Sequence, residues 1–177
     1  MSTRQSPVRF TAAQPSDEVL GLAGEVLLSR SPVTVRRRVL WGECDPAGVV
    51  YTPRFSDYLM IAFGWFTRVL AEEPEVAEEL AALSTPMKGL RLEFRRTLAP
   101  GDVFDLTCRV TAVRSRTFDL EIVGAAAGGE PAFVGLLSPI TCVGPPMQAR
   151  PIPPALRRAL TRHAVTAAEV LASPFPT

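Results

Sequence analysis

Histidine is nearly missing from this chain: His163 is the single one in 177 residues. A Ser-His-Asp or Cys-His centre would need it as the base. It lies in the C-terminal segment PPALRRALTRHAVTAAEVL beside Arg157, Arg158 and Arg162, where a surface position is expected. Acid–base or hydrolytic chemistry therefore falls to a carboxylate. Cysteine is also scarce. Cys44, Cys108 and Cys142 are odd in number and widely spaced, which argues against a disulfide framework and against a CxxC metal site, so no metal is expected. Cys108 and Cys142 fall in strand-like runs, where free thiols are commonly buried. Cys44 adjoins Asp45, but a nucleophilic role for it lacks a nearby base. An excess of charge of one sign is absent too: the formal net charge is +1, so no global field draws nucleic acid. No apolar run is long enough to span a bilayer. The opening MSTRQSPVRFTAAQPSDEV has no apolar core of a secretory signal. The expectation is a cytoplasmic protein with neither membrane nor nucleic acid as partner.

What is present is one long apolar helical pattern among strand patterns. Residues 1–31 read as an N-terminal extension, with a short helix over SDEVLGLAGEVLLSR capped by Ser16. Residues 32–145 read as the main domain and 146–177 as a C-terminal helix and tail. From Val33 the chain alternates through Val35, Val39 and Trp41, a strand. The turn Asp45-Pro46-Ala47-Gly48 breaks it. After Pro53 the period becomes 3.6, and Phe55, Tyr58, Leu59, Ala62, Phe63, Phe66, Val69 and Leu70 share one face, with Ile61 and Trp65 widening it. Alternation returns at Leu90–Phe94, Phe104–Ala112 and Phe118–Ile122, followed by the continuous run AFVGLLSPITCV, with turns at APGD, RSR and AGGEP. Short turns between successive strands predict an antiparallel meander. A helix this apolar must be enclosed, and the economical cover is a twisted sheet curled around it, an α+β arrangement. Such a sheet leaves edges that a second copy would close, which predicts a homodimer, or a tetramer built as a dimer of dimers.

The segment WGECDPAGVVYTPRFSDYL resembles the signature of hot-dog-fold acyl-CoA thioesterases of the 4-hydroxybenzoyl-CoA thioesterase type. The shared elements are an aromatic-Gly pair, Asp-Pro-Ala-Gly, an apolar pair, an aromatic residue and then the buried helix. The order of elements agrees over about residues 33–143. The resemblance implies a hot-dog fold, an antiparallel sheet wrapped around a central helix, and hydrolysis of an acyl-CoA, with an aromatic acyl group preferred. It implies no cofactor, coenzyme A being part of the substrate. It makes Asp45 the catalytic carboxylate, as nucleophile or as general base. Gly48, Val49, Tyr51 and Thr52 become the loop into the helix, with the Thr52 N–H as oxyanion donor. Thr85, in STPMKG, is expected near the thioester across a dimer interface. Arg114 and Arg116, in VRSRTF, are expected on the nucleotide phosphates.

Other readings stand beside this one. An Asp in Asp-Pro-Ala-Gly commonly just bonds nearby backbone N–H groups, and turn arginines are commonly solvated. Arg36, Arg37 and Arg38 are expected to face solvent. A hydratase on the same fold would want a histidine near the acid. A non-catalytic acyl-CoA-binding module would keep Arg114 and Arg116 without needing Asp45. A carrier-protein thioesterase would want a basic docking surface.

Overall fold

The computed structural model describes residues 24–126, 129–165 and 175. Its centre is helix α1, Arg54–Leu70. The residues buried on α1 are Phe55, Tyr58, Leu59, Ala62, Phe63, Phe66, Val69 and Leu70, the whole face that the 3.6 period picks out. Each large side chain fully removed from water there contributes about 1.5–3 kcal/mol. Around it curls a sheet of six strands: β1 (Glu25–Arg30), β2 (Val33–Arg38), β3 (Met87–Phe94), β4 (Val103–Val113), β5 (Phe118–Ala126) and β6 (Pro131–Pro139), in the order β1-β2-β4-β5-β6-β3. All neighbours are antiparallel. A short hairpin, β7 (Cys142–Val143) with β8 (Gln148–Ala149), follows. Two more helices complete the chain, α2 (Pro74–Ala81) and α3 (Pro154–Arg162). No helix among the described residues is long and apolar enough to cross a membrane.

The helix lies very close to the sheet. Leu59 of α1 sits over Gly135 of β6, where a Cβ would lie 2.4 Å from the leucine methyl carbons. The site therefore needs a residue without a side chain. Aromatic rings fill the N-terminal end of the core: Phe55 meets Phe133 edge-on at 4.9 Å, and Tyr58 lies 5.2 Å from Phe104. Cys108 on β4 is fully buried, its thiol directed at the Ala62 carbonyl at 3.7 Å and pushed up to about 12 by that burial. Helix α3 packs on α2. Ala155, Leu156, Ala159 and Leu160 are buried, and the Glu79 carboxylate receives the Ala155 and Leu156 N–H groups at 3.1 and 2.7 Å. Those are orphan donors of the α3 N-terminus, so Glu79 acts as its cap from another helix.

Five expectations change. The helix expected over 16–30 is strand where it is described: Glu25–Arg30 pairs with β2, Leu27 packs partly buried against the core, and residues 16–23 lie outside the described residues. The strands after α1 are not a simple meander. The APGD turn does not join neighbours, because β2 already occupies the edge of β4, and β3 goes to the far side of β6. The run 132–143 breaks at Pro139, beyond which Cys142–Val143 pairs with β8. Trp41 leaves the strand alternation and is exposed, whereas Arg37 is buried, 6% exposed, on the inward side between Val35 and Val39. His163 is half-buried rather than on the open surface, edge-on to Phe66 at 5.5 Å, with its pKa lowered mainly by burial and then by Arg162.

The contact of Leu59 with Gly135 yields a stability test. Gly135→Ala is expected to destabilise by about 1–3 kcal/mol through overpacking, whereas Gly42→Ala, where an added Cβ meets nothing within 4 Å, is expected to be near neutral. Denaturant midpoints of the two variants against wild type measure the difference.

Candidate active site

The loop from β2 to α1 is a tight hairpin. Its base is formed by the Tyr51 N–H donating to the Glu43 carbonyl at 2.9 Å and by a Cys44–Val50 bridge. Its tip is closed by Asp45 N–H to the Val49 carbonyl and Gly48 N–H to the Asp45 carbonyl, both 2.9 Å. Gly48 carries φ +79°, a left-handed conformation that side chains resist, which is why glycine stands there. The Asp45 carboxylate is partly buried. One oxygen, Oδ1, accepts the Ala47 N–H at 2.8 Å, the ordinary work of a turn aspartate. Its Oδ2 has no hydrogen-bond partner among the described residues.

The other arm of the hairpin winds into α1. Arg54, Phe55 and Ser56 N–H groups bond the carbonyls of Tyr51, Thr52 and Pro53 at 2.8, 3.2 and 3.1 Å. Pro53 has no N–H to give. The Thr52 amide is thereby left without an acceptor among the described residues, at the positive end of a 17-residue helix. Thr52 borders a cavity of about 350 Å³ lined also by Val49, Val50, Phe55, Phe94 and Leu98 with Arg95 and Arg96 beside them. The cavity is closed on one side by the Val50 N–H bond to the Leu98 carbonyl, 2.9 Å. Asp45 does not line it, and Tyr51 is exposed.

The remaining expected residues lie elsewhere in the same chain. Arg114 stands at the opposite end of β4 from the loop: Arg38 pairs with Val103, the Val39 N–H bonds the Asp102 carbonyl, and Arg114 follows Val113. Eleven residues of strand put on the order of 30 Å between them. Arg114 borders a second cavity, about 330 Å³, with Lys88, Arg91, Thr117, Asp119 and Ser138. There Asp119, 5% exposed, takes the Arg114 guanidinium at 2.8 Å and the Ser138 hydroxyl at 2.7 Å. Lys88 and Arg91 were not singled out in the sequence because β3 reaches β5 only through β6. Arg116 is exposed and does not line this groove, and its carbonyl accepts the Thr141 N–H at 2.9 Å. Thr85 borders a separate groove with Phe63, Gly64 and Thr67 of α1. Asp57, on the first turn of α1, pairs locally with Arg54 at 3.0 Å. Among the described residues, no cluster of three or more His, Cys, Asp or Glu side chains is placed to hold a metal ion.

The profile of the Thioesterase-like superfamily matches residues 39–160, from just after β2 into the last turn of α3. The chain belongs to that superfamily. Its reaction class is thioester hydrolysis. Among solved structures, a gentisyl-coenzyme A thioesterase superposes with a TM-score of 0.63 at 20% identity, over 72% of this chain and 98% of that one. A 1,4-dihydroxy-2-naphthoyl-CoA thioesterase from Synechocystis gives 0.63 at 17%, over 72% and 94%. A mutant 4-hydroxybenzoyl-CoA thioesterase complexed with 4-hydroxybenzoyl-CoA gives 0.62 at 17%, over 77% and 99%. At these identities the likeness is one of fold, the hot-dog arrangement of a sheet around a central helix. No curated protein matches the chain.

Within this thioesterase, Cys44 is a poor nucleophile. Loss of hydration, then the charges of Glu43, Asp45 and Asp102, push its thiol up, away from the reactive thiolate. Cys44→Ser is accordingly expected to hydrolyse a thioester within about twofold of wild type, where loss of an essential nucleophile would cost several powers of ten. Steady-state assays of free thiol release decide it.

Proposed function

We propose that the chain is an acyl-CoA thioesterase in which Asp45 is the reactive carboxylate and the Thr52 amide receives the oxyanion. The observation that carries this reading is the pairing, on the two arms of one hairpin, of a carboxylate oxygen and a helix N-terminal amide that both lack a hydrogen-bond partner among the described residues. A thioester needs an agent at its carbonyl carbon and a donor for the oxygen that becomes negative. As general base, Asp45 takes a proton from water as the new C–O bond forms. The carbonyl oxygen gains the electron pair and rests on the Thr52 N–H, and the C–S bond then breaks to release the CoA thiolate. As nucleophile, the same carboxylate forms a mixed anhydride that water opens. An aromatic acyl group suits the neighbouring cavity, where Phe55 and Phe94 stand edge to face at 4.9 Å.

The coenzyme A end is assigned to the cationic groove of Lys88, Arg91 and Arg114, and a second copy of the chain supplies it. β3 is an edge strand of eight residues with Leu90 and Phe94 41% and 48% exposed, whereas the β1 edge has six residues. β3 runs from Met87, near the groove, to Phe94, near the Thr52 cavity. Pairing two β3 edges antiparallel across a two-fold axis sets the groove end of one copy beside the Asp45 end of the other. A homodimer of this kind joins the two halves that lie at opposite ends of one sheet. A module that only binds acyl-CoA would use the groove and leave the Asp45 oxygen idle.

Two experiments test this. Asp45→Asn is expected to lower kcat by at least about 100-fold with acyl-CoA still bound, measured by thiol release across aromatic and short aliphatic acyl-CoAs and by equilibrium binding. Binding without thiol release by wild type would favour the binding module. Arg91→Ala and Lys88→Ala, which leave the buried Asp119 with its Arg114 partner, are expected to raise KM for CoA thioesters by roughly tenfold each, the worth of a charged hydrogen bond, and to leave KM for pantetheine thioesters unchanged. Equal effects on both substrates would remove the phosphate assignment.

A further inference from the structure

Beneath the hairpin lies a set of buried polar groups that the chemistry above does not use. Arg37 of β2 is 6% exposed and Tyr58 of α1 is fully buried. The Arg37 guanidinium donates to Glu25 through Nη1 and to Glu43 through Nη2, and lies 4.8 Å from the centre of the Tyr58 ring. The Tyr58 hydroxyl donates to Glu43 Oε2 at 2.9 Å, and the Leu40 N–H to the same oxygen at 2.8 Å. Burial, and then the Glu43 carboxylate, push the Tyr58 phenol up, so it remains a donor.

Such a cluster is a poor way to gain stability. Desolvating a guanidinium and a carboxylate costs about what their attraction returns, and apolar side chains of the same volume would serve as well. What the cluster adds is direction. Glu43 stands two residues before Asp45, and its carbonyl holds the Tyr51 amide, one residue before Thr52. It therefore touches both arms of the hairpin, while its carboxylate is fixed to β2 by Arg37 and to the second turn of α1 by Tyr58.

We infer that Glu43 is a positioning residue: gripped by Arg37 and Tyr58, it fixes the hairpin that carries Asp45 and the Thr52 amide in one place relative to α1. This rests on the reading of Asp45 and Thr52 as the reacting groups, since a displacement of 1 Å there is enough to slow a reaction severely.

Tyr58→Phe removes one hydroxyl and keeps the ring under Arg37. It is expected to lower kcat by about tenfold or more with KM within about twofold, the signature of a misplaced group rather than lost binding. The Asp45 and Tyr51 amides, both hydrogen-bonded in the hairpin, are expected to exchange with deuterium about tenfold faster. Phe66→Leu, two turns along α1 and away from the loop, is the control, compared at an equal loss of melting temperature. It is expected to keep kcat and the exchange rates of those amides. Glu43→Gln, still able to accept from Tyr58 and Leu40, is expected to keep more activity than Glu43→Ala. A kcat loss in Tyr58→Phe no larger than in the control, or unchanged exchange of the two amides, would overturn the inference. If wild type hydrolyses no acyl-CoA, the reading of Asp45 fails separately, and the exchange rates alone decide whether Glu43 holds the hairpin.

Discussion

Enclosure of one apolar helix by one curved sheet is the constraint from which the rest of this molecule follows. The helix can be buried only if the sheet comes close, and the sheet comes close only because Gly135 leaves room for Leu59. The aromatic cluster of Phe55, Tyr58, Phe104 and Phe133 then fixes where the helix begins. That start, in turn, decides which backbone amide is left without a carbonyl. The candidate chemistry is thus a by-product of packing: an unfinished helix end, held against a hairpin too short to supply the missing acceptor.

Much of this was legible in the sequence, and the reasons are specific. The eight buried positions of α1 were readable because a 3.6 period leaves little choice of face once the apolar residues are marked. The turn was readable because Asp-Pro-Ala-Gly is local chemistry, and Gly48 needs its left-handed backbone whatever surrounds it; its closure into a hairpin was not. The place of β3 was not readable. Alternation gives a strand its two faces but says nothing of its neighbours, and the short APGD turn suggested a hairpin that the β2–β4 pairing forbids. Glu25–Arg30 was misread for a related reason, since a short apolar run fits either a helix or a strand until its partner is known.

Charged residues show the same limit. Arg36, Arg37 and Arg38 form one run, yet their fates diverge: Arg36 pairs with Asp105 across the strand, while Arg37 turns inward to Glu43 and Tyr58. Strand parity alone would have put Arg37 inside, between Val35 and Val39. What hid it was the general expectation that a guanidinium seeks water. The groove of Lys88, Arg91 and Arg114 was half visible, as one turn arginine, because its other members come from a strand that reaches it only after folding. Local signals therefore reached the hairpin proposed as the reacting end, and the groove proposed for the phosphates needed the sheet order.

The clasp between α2 and α3 has a consequence for how the C-terminal segment is held. Arg158–Glu75 and Arg162–Glu73 are ion pairs open to solvent, whereas Leu156 and Leu160 are shut away from it. Salt screens the first kind of contact, and kosmotropic salts strengthen the second. Raising ionic strength would therefore erase the electrostatic preference for one alignment of α3 while leaving its adhesion intact. The charges act as a key for the angle at which this helix lands, and the grease beneath is the glue.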